Sequence, residues 1–161
     1  MNDVSVKLVE LLRQKGLTIS TAESCTGGLV AKTLTDVSGA SAVFWGGVVS
    51  YDNSVKQNVL GVKKETLDSV GAVSHDTACQ MAKGVQRVIN TNIGISTTGI
   101  AGPTGGTAEK PIGTVYVGIA YGEAVEGYLL SIDPCLSRDE IRQEAVKRVL
   151  TIAYEKILEN Y

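Results

Sequence analysis

The chain of 161 residues has one histidine, three cysteines, no basic stripe and no long apolar run, and each scarcity removes a class of function. The single histidine, His75, sits beside Ser74 at a predicted helix start, an exposed position that argues against a Ser-His-Asp triad. The three cysteines, Cys25, Cys79 and Cys135, are odd in number and widely spaced with no Cys-x-x-Cys. That pattern fits neither a disulfide framework nor a zinc site, and they read as free thiols. Fifteen basic and seventeen acidic residues are spread along the chain for a net charge of −2, so no nucleic-acid partner is expected. Stretches such as Val115 to Tyr121 fall far short of a membrane span and no signal pattern opens the sequence, which gives the expectation of a cytoplasmic protein with no membrane partner. What is abundant is apolar residues, 43%, and glycine, 18 residues. That is enough for one well-buried core and too little for two domains, so 1–161 is expected to form a single domain.

Helical and extended patterns alternate along it. Val6, Leu8, Val9, Leu11 and Leu12 make the apolar face of a first helix, capped by Asn2 or Asp3 and stopped at Gly16. The β-branched run Leu17 to Thr21 predicts a strand, and Leu29, Val30, Thr33 and Leu34 recur at helical spacing behind two glycines. A second strand is expected over Ala42 to Tyr51, where Gly46 and Gly47 signal a bulge or a close backbone approach. Asn53 is placed to cap a short helix ending at Gly61, and Ser74 a longer one carrying Ala78, Met81, Ala82, Val85, Val88 and Ile89. Ile93 to Thr98 reads as a strand, Gly99 to Gly113 as a glycine-rich loop, and Thr114 to Tyr121 with Val125 to Ile132 as a hairpin. Ser137-Arg138-Asp139-Glu140 is a capping-box pattern opening a final helix. The interleaving predicts a three-layer α/β/α domain with a mixed sheet.

Thr21-Ala22-Glu23-Ser24-Cys25-Thr26-Gly27-Gly28 concentrates the chemistry at a strand-to-helix corner. There, first-turn N–H groups and the positive helix end suit an anion, and Gly27 and Gly28 permit close approach of a ligand. Ser24 is a candidate nucleophile; equally, Ser24 or Thr26 can simply cap the helix. Cys25 is a rival nucleophile or a buried thiol. With the histidine set aside, the proton acceptor for a serine must be a lysine of lowered pKa, and Lys56, one helical turn beyond Tyr51-Asp52-Asn53, is the best placed among several surface lysines. The loop from Gly99 to Thr107 lacks a Walker A ending and precedes a strand, yet its N–H groups and hydroxyls suit an oxyanion or a ribose. Arg138 and Arg142, four residues apart on one helix face, suit a phosphate, as surface arginines of that spacing often do without binding one.

These segments, with Gly47-Val48-Val49-Ser50-Tyr51-Asp52-Asn53, Gly71-Ala72-Val73-Ser74, Ser96 to Gly106 and Lys110-Pro111-Ile112-Gly113-Thr114-Val115-Tyr116, closely resemble the CinA C-terminal domain family over essentially the whole chain. The enzymatic members of that family are nicotinamide-nucleotide amidases. The resemblance implies hydrolysis of the carboxamide of nicotinamide mononucleotide to nicotinate mononucleotide and ammonia, in pyridine-nucleotide recycling, by a homodimer using no metal or cofactor. Carried over by position, it makes Ser24 the nucleophile, Lys56 the general base and Thr98 a third catalytic residue. It places Cys25, Thr26, Gly27, Gly28, Tyr51, Gly99, Ala101, Gly102, Arg138 and Arg142 around the substrate, with Arg138 toward its phosphate. Many family members also carry an N-terminal domain resembling molybdopterin-binding proteins, and this chain begins directly at the amidase-like domain. Two other readings stay open: a non-catalytic nucleotide-binding domain, and a competence- or damage-associated interaction protein.

Overall fold

A computed structural model describes residues 3–161, in which six helices and five strands follow one another. The elements are α1 (Asp3–Lys15), β1 (Ile19–Glu23), α2 (Leu29–Thr35), β2 (Phe44–Val49), α3 (Asn53–Asn58), α4 (Lys64–Ser69), α5 (His75–Ile89), β3 (Ile93–Gly99), β4 (Thr114–Tyr121), β5 (Ala124–Ser131) and α6 (Arg138–Asn160). One sheet of order β2-β1-β3-β4-β5 carries them, parallel across β2, β1 and β3 and antiparallel across β3, β4 and β5. This is the mixed α/β sandwich expected. No described helix is long and apolar enough to cross a membrane.

Alternation along the strands separates two faces. Ile93, Ile95, Val115, Val117 and Ile119 join the large core formed with α1, α2 and α6. The opposite face is covered by α5, which approaches the sheet over small residues: a Cβ on Gly94 would lie 2.4 Å from the Ala82 carbonyl oxygen, and one on Gly118 would lie 2.4 Å from that of Ala78. Ala22, Leu60, Val62, Met81 and Val85 close a smaller core on that side. The tightest approach is Gly84, where a Cβ would come 2.0 Å from the Leu60 carbonyl oxygen, backbone against backbone. Because neither side can yield without moving α5, Gly84→Ala is expected to destabilise the fold by about 2 kcal/mol or more, the upper part of the overpacking range. A denaturant melt checks this, and an unchanged midpoint would mean that α5 shifts freely.

Several expectations move. The capping of α1 by Asn2 or the Asp3 side chain lies outside the described residues. β2 begins at Phe44 because Ala40–Ala42 forms a 3-10 turn. The glycine pair serves both purposes anticipated for it: the β1–β2 register shifts between Ile19 and Ser20, and a Cβ on Gly47 would collide with Thr21 Oγ1 at 2.3 Å. Asp52, not Asn53, caps α3, accepting from the Ser54 N–H at 3.0 Å. α4 has no counterpart in the sequence reading, since its six residues bury none of their side chains and leave no apolar period. The capping box at Ser137 and Glu140 is present in full.

The chain leaves β1 for β2 on one side and later enters β3 on the other. Its carboxyl end is therefore where the connections diverge to opposite faces, the place at which open α/β sheets form their crevices. Ser24 is the first residue beyond that end.

Candidate active site

Two main-chain bonds prolong the parallel ladder past β1 and set the corner. The Ser24 N–H donates to the Thr97 carbonyl at 2.9 Å, and the Ser50 N–H to the Glu23 carbonyl at 2.8 Å. Glu23 points to the α2 side, so Ser24 turns to the α5 side, beside Thr98 in the next rung of β3.

Glu23 carries the structural load here. Its carboxylate is buried and accepts from the Val30 N–H at 2.8 Å, the Ala31 N–H at 3.0 Å and the Thr26 hydroxyl at 2.6 Å. A strand carboxylate thus fills the anion site at the start of α2. This corrects the sequence reading of that helix end as a free cradle, and it shows that neither Ser24 nor Thr26 caps the helix, whose N-cap is Gly28 with φ 108°. Thr26 Oγ1 also bonds Thr97 Oγ1 at 2.7 Å. The sequence signal for Glu23 is its position: an acid closing a short strand that carries no other charge must find donors when buried.

Lys56 reaches Ser24 from α3. Its residue is 1% exposed, and Nζ donates to Ser24 Oγ at 3.0 Å, to the Ser50 carbonyl at 2.7 Å and to the Tyr51 carbonyl at 3.2 Å. Burial lowers its pKa from the ordinary lysine value, against a smaller opposing pull from Asp52. Asp52 is fully exposed and faces its own cap donors, so solvent weakens that pull. No other described lysine is buried.

The remaining predicted residues fall into two groups. Cys25 points away from Ser24 into the large core, and burial pushes its thiol up to about 12, as expected for an inert thiol. Thr26 is buried and committed to Glu23 and Thr97. Thr98 donates its hydroxyl to the Ala72 carbonyl at 2.8 Å, tying the site rung to the Gly71 to Ser74 segment. Arg138 donates to the Gly102 carbonyl at 2.8 Å and to the exposed Tyr51 hydroxyl at 3.1 Å, joining the β3–β4 loop to the end of β2. Gly99 and Ala101 lead into that loop, packed closely: a Cβ on Gly99 would lie 2.7 Å from Val115. Arg142 turns elsewhere, donating through Nε to the Cys25 carbonyl and through Nη2 to the Thr26 carbonyl, both at 3.0 Å. Gly27, exposed, donates its N–H to the Ser24 carbonyl at 3.0 Å. The two arginines expected to act together therefore serve different loops.

An open mixed α/β sandwich with a buried lysine against a serine at the carboxyl end of its first strand defines the class. The model of the CinA C-terminal domain matches residues 1–157, and the chain belongs to that family. It is 60% identical over 112 residues to a CinA-like protein of Kosmotoga olearia, an alignment covering 70% of this chain and 27% of that protein. Among solved structures, the competence/damage inducible protein of Agrobacterium tumefaciens superposes with a TM-score of 0.91 at 41% identity, over 96% of this chain and 94% of that one. The competence damage-inducible protein A of Klebsiella pneumoniae gives a TM-score of 0.95 at 29% identity, over 99% and 98%. The chain spans about a third of the length of the curated relatives it matches, 36% for a Thermoanaerobacter pseudethanolicus protein.

Proposed function

We propose that the chain hydrolyses a carboxamide by acyl transfer through Ser24, with Lys56 as the base, and that its substrate is nicotinamide mononucleotide. The observation that carries the reading is the environment of Lys56 Nζ. It meets three partners, two of them carbonyl oxygens that can only accept. A neutral amine has two hydrogens, which the carbonyls of Ser50 and Tyr51 take, leaving its lone pair toward Ser24 Oγ–H. Desolvation favours that neutral form, and the positive charge of a bound nicotinamide ring favours it further.

In the first step, Ser24 Oγ forms a bond to the carboxamide carbon, its proton passes to Lys56, and the carbonyl π electrons move to oxygen, held by backbone N–H groups. Collapse of this intermediate breaks the C–N bond, and the leaving nitrogen takes the proton from Lys56 and departs as ammonia. Water then attacks the acyl-enzyme, giving its proton to Lys56, which returns it to Ser24 as the acid is released. Water is the only co-substrate. The choice of nicotinamide mononucleotide rests on the family resemblance, and the exposed Arg138 supplies a group at the mouth of the site for its phosphate.

Arg138→Ala is expected to lower kcat/KM for the mononucleotide roughly ten- to a hundredfold, the worth of a charge-assisted contact of about 1.5–3 kcal/mol, while leaving the phosphate-free riboside almost unchanged. Equal losses for both would instead assign Arg138 to holding Tyr51 and Gly102 in place. Ammonia release from the mononucleotide, its riboside and free nicotinamide tests the reading as a whole. A non-catalytic nucleotide-binding domain would bind the first of these and release no ammonia.

A further inference from the structure

Four of the five main-chain carbonyls in the segment Ser24 to Gly28 have donors. The Ser24 carbonyl takes the Gly27 N–H, the Thr26 carbonyl takes the Leu29 N–H and Arg142 Nη2, the Cys25 carbonyl takes Arg142 Nε, and the Gly28 carbonyl takes the Lys32 N–H. The N–H groups of Val30 and Ala31, which would otherwise make the helix end an anion site, are held by Glu23. Among the described residues, no acceptor on another residue reaches the N–H groups of Cys25, Gly28 or Thr26, and of these it is the Thr26 N–H whose peptide unit Arg142 grips. It belongs to the Cys25–Thr26 peptide unit, whose carbonyl and N–H point in opposite directions in a trans bond. Arg142 lies on α6, which packs against α1, α2 and the face of the large core, while Ser24 and Lys56 meet on the α5 side. A guanidinium that draws the Cys25 carbonyl toward α6 therefore turns the Thr26 N–H toward the side where Ser24 reacts.

We propose that Arg142 is a positioning residue that fixes the Cys25–Thr26 peptide so that the Thr26 N–H serves as an oxyanion donor to the group attacked by Ser24. The inference rests on the acyl-transfer reading above. It also separates the two arginines: Arg138 acts on the substrate's phosphate end, and Arg142 acts on the reacting carbonyl through the loop. Its bond pattern suits this work, because Nε and Nη2 lie on one edge of the planar guanidinium and hold two successive carbonyls together. Lysine, a single point donor, cannot hold both in the same geometry. A donor lost from an oxyanion site costs about 10²–10³-fold in kcat. If the peptide is released when Arg142 is removed, a loss of about 10²-fold is expected, with KM for the mononucleotide little changed.

The test uses Arg142→Ala and Arg142→Lys in the full chain, with Ser24→Ala alongside. Steady-state kinetics on the mononucleotide and the riboside should show kcat reduced about 10²-fold for both substrates in both variants, and added methylguanidine should restore part of the activity of Arg142→Ala. The second measurement is binding of the mononucleotide's aldehyde analogue, in which Ser24 Oγ adds to the aldehyde carbon, the C=O π electrons move to oxygen, and the serine proton passes through Lys56 to that oxygen to complete a hemiacetal. The Arg142 variants should bind this analogue about 10²-fold more weakly than the unaltered chain, while binding the acid product as before; a variant that weakened both would have lost the pocket itself and would overturn the inference. A kcat loss confined to the mononucleotide would make Arg142 a phosphate ligand and overturn it too, as would unaltered kcat. The two readings fail separately. If Ser24→Ala binds the aldehyde as tightly as the unaltered chain, the nucleophile assignment falls; if Ser24→Ala loses the aldehyde and the Arg142 variants keep it, only the role of Arg142 does.

Discussion

Ser24→Ala is expected to cut deamidation of nicotinamide mononucleotide by roughly 10⁴-fold or more, the scale on which removal of an activated serine falls, while the fold persists. Three neighbouring hydroxyls are engaged elsewhere. Thr26 Oγ1 is tied to Glu23 and Thr97, Thr98 Oγ1 to the Ala72 carbonyl, and Ser50 Oγ to the Glu23 carbonyl at 3.4 Å. Among the hydroxyls of the described residues only that of Ser24 meets Lys56 Nζ, and Ser24 is not part of the large core cluster. Cys25→Ala should keep most of the activity, because that thiol faces the core and burial pushes its pKa up to about 12, leaving almost no thiolate at neutral pH. The reverse pattern, with Cys25→Ala inactive and Ser24→Ala active, would replace the ester intermediate by a thioester.

Lys56→Arg is expected to be nearly as inactive as Lys56→Met. Arginine retains the charge but cannot lose a proton at accessible pH, and methionine retains much of the shape without a base. Substantial turnover by the arginine variant would reduce Lys56 to an electrostatic role. The pH dependence follows from the direction of its shift. The folded-state pKa lies below the ordinary value of 10.5, so kcat/KM should rise with pH as Lys56 loses its proton and level off above its folded pKa. Stability carries the same sign. Between the lowered folded pKa and 10.5 the unfolded chain binds the extra proton, so stability rises with pH across that window. Below it, both states are protonated and the full cost of a buried ammonium remains. Lys56→Met should abolish this slope while removing activity, which separates loss of the base from loss of the fold.

The sequence made the frame legible wherever the signal was local. The apolar periods of α5 and α6, the capping box at Ser137 and the β-branched run before Ser24 each correspond to an observed element. The glycine pair at 46 and 47 marked both a register shift and a close approach. What stayed hidden depends on groups brought together from distant positions. Spacing ranks Lys56 best placed among the lysines but does not reveal its burial, because its cage is made of the main-chain carbonyls of Ser50 and Tyr51, which no side-chain pattern records. Glu23 falls within the Thr21–Gly28 motif, yet its role in filling the start of α2 follows only from its pointing toward that helix. Arg138 and Arg142 share a helix face by spacing, and only the positions of the two loops reveal that they serve different ones.

Glu23 also joins the two halves of the proposed dyad. Its side chain fixes the segment that follows Ser24, and its carbonyl holds the Ser50 N–H, whose residue in turn offers its own carbonyl to Lys56. Nucleophile and base are thus referred to one residue at the end of β1, which accounts for how a serine and a lysine 32 positions apart come within 3.0 Å.

The most direct measurement is product formation by the purified chain given nicotinamide mononucleotide, with ammonia and the acid product quantified together over time. The account predicts one ammonia for each nicotinate mononucleotide, at a rate that climbs with pH through the lowered Lys56 pKa and vanishes in Ser24→Ala. Tight binding of the mononucleotide with no ammonia at any pH would contradict it, leaving a nucleotide-binding domain in which Lys56 and Ser24 are held together for some other purpose.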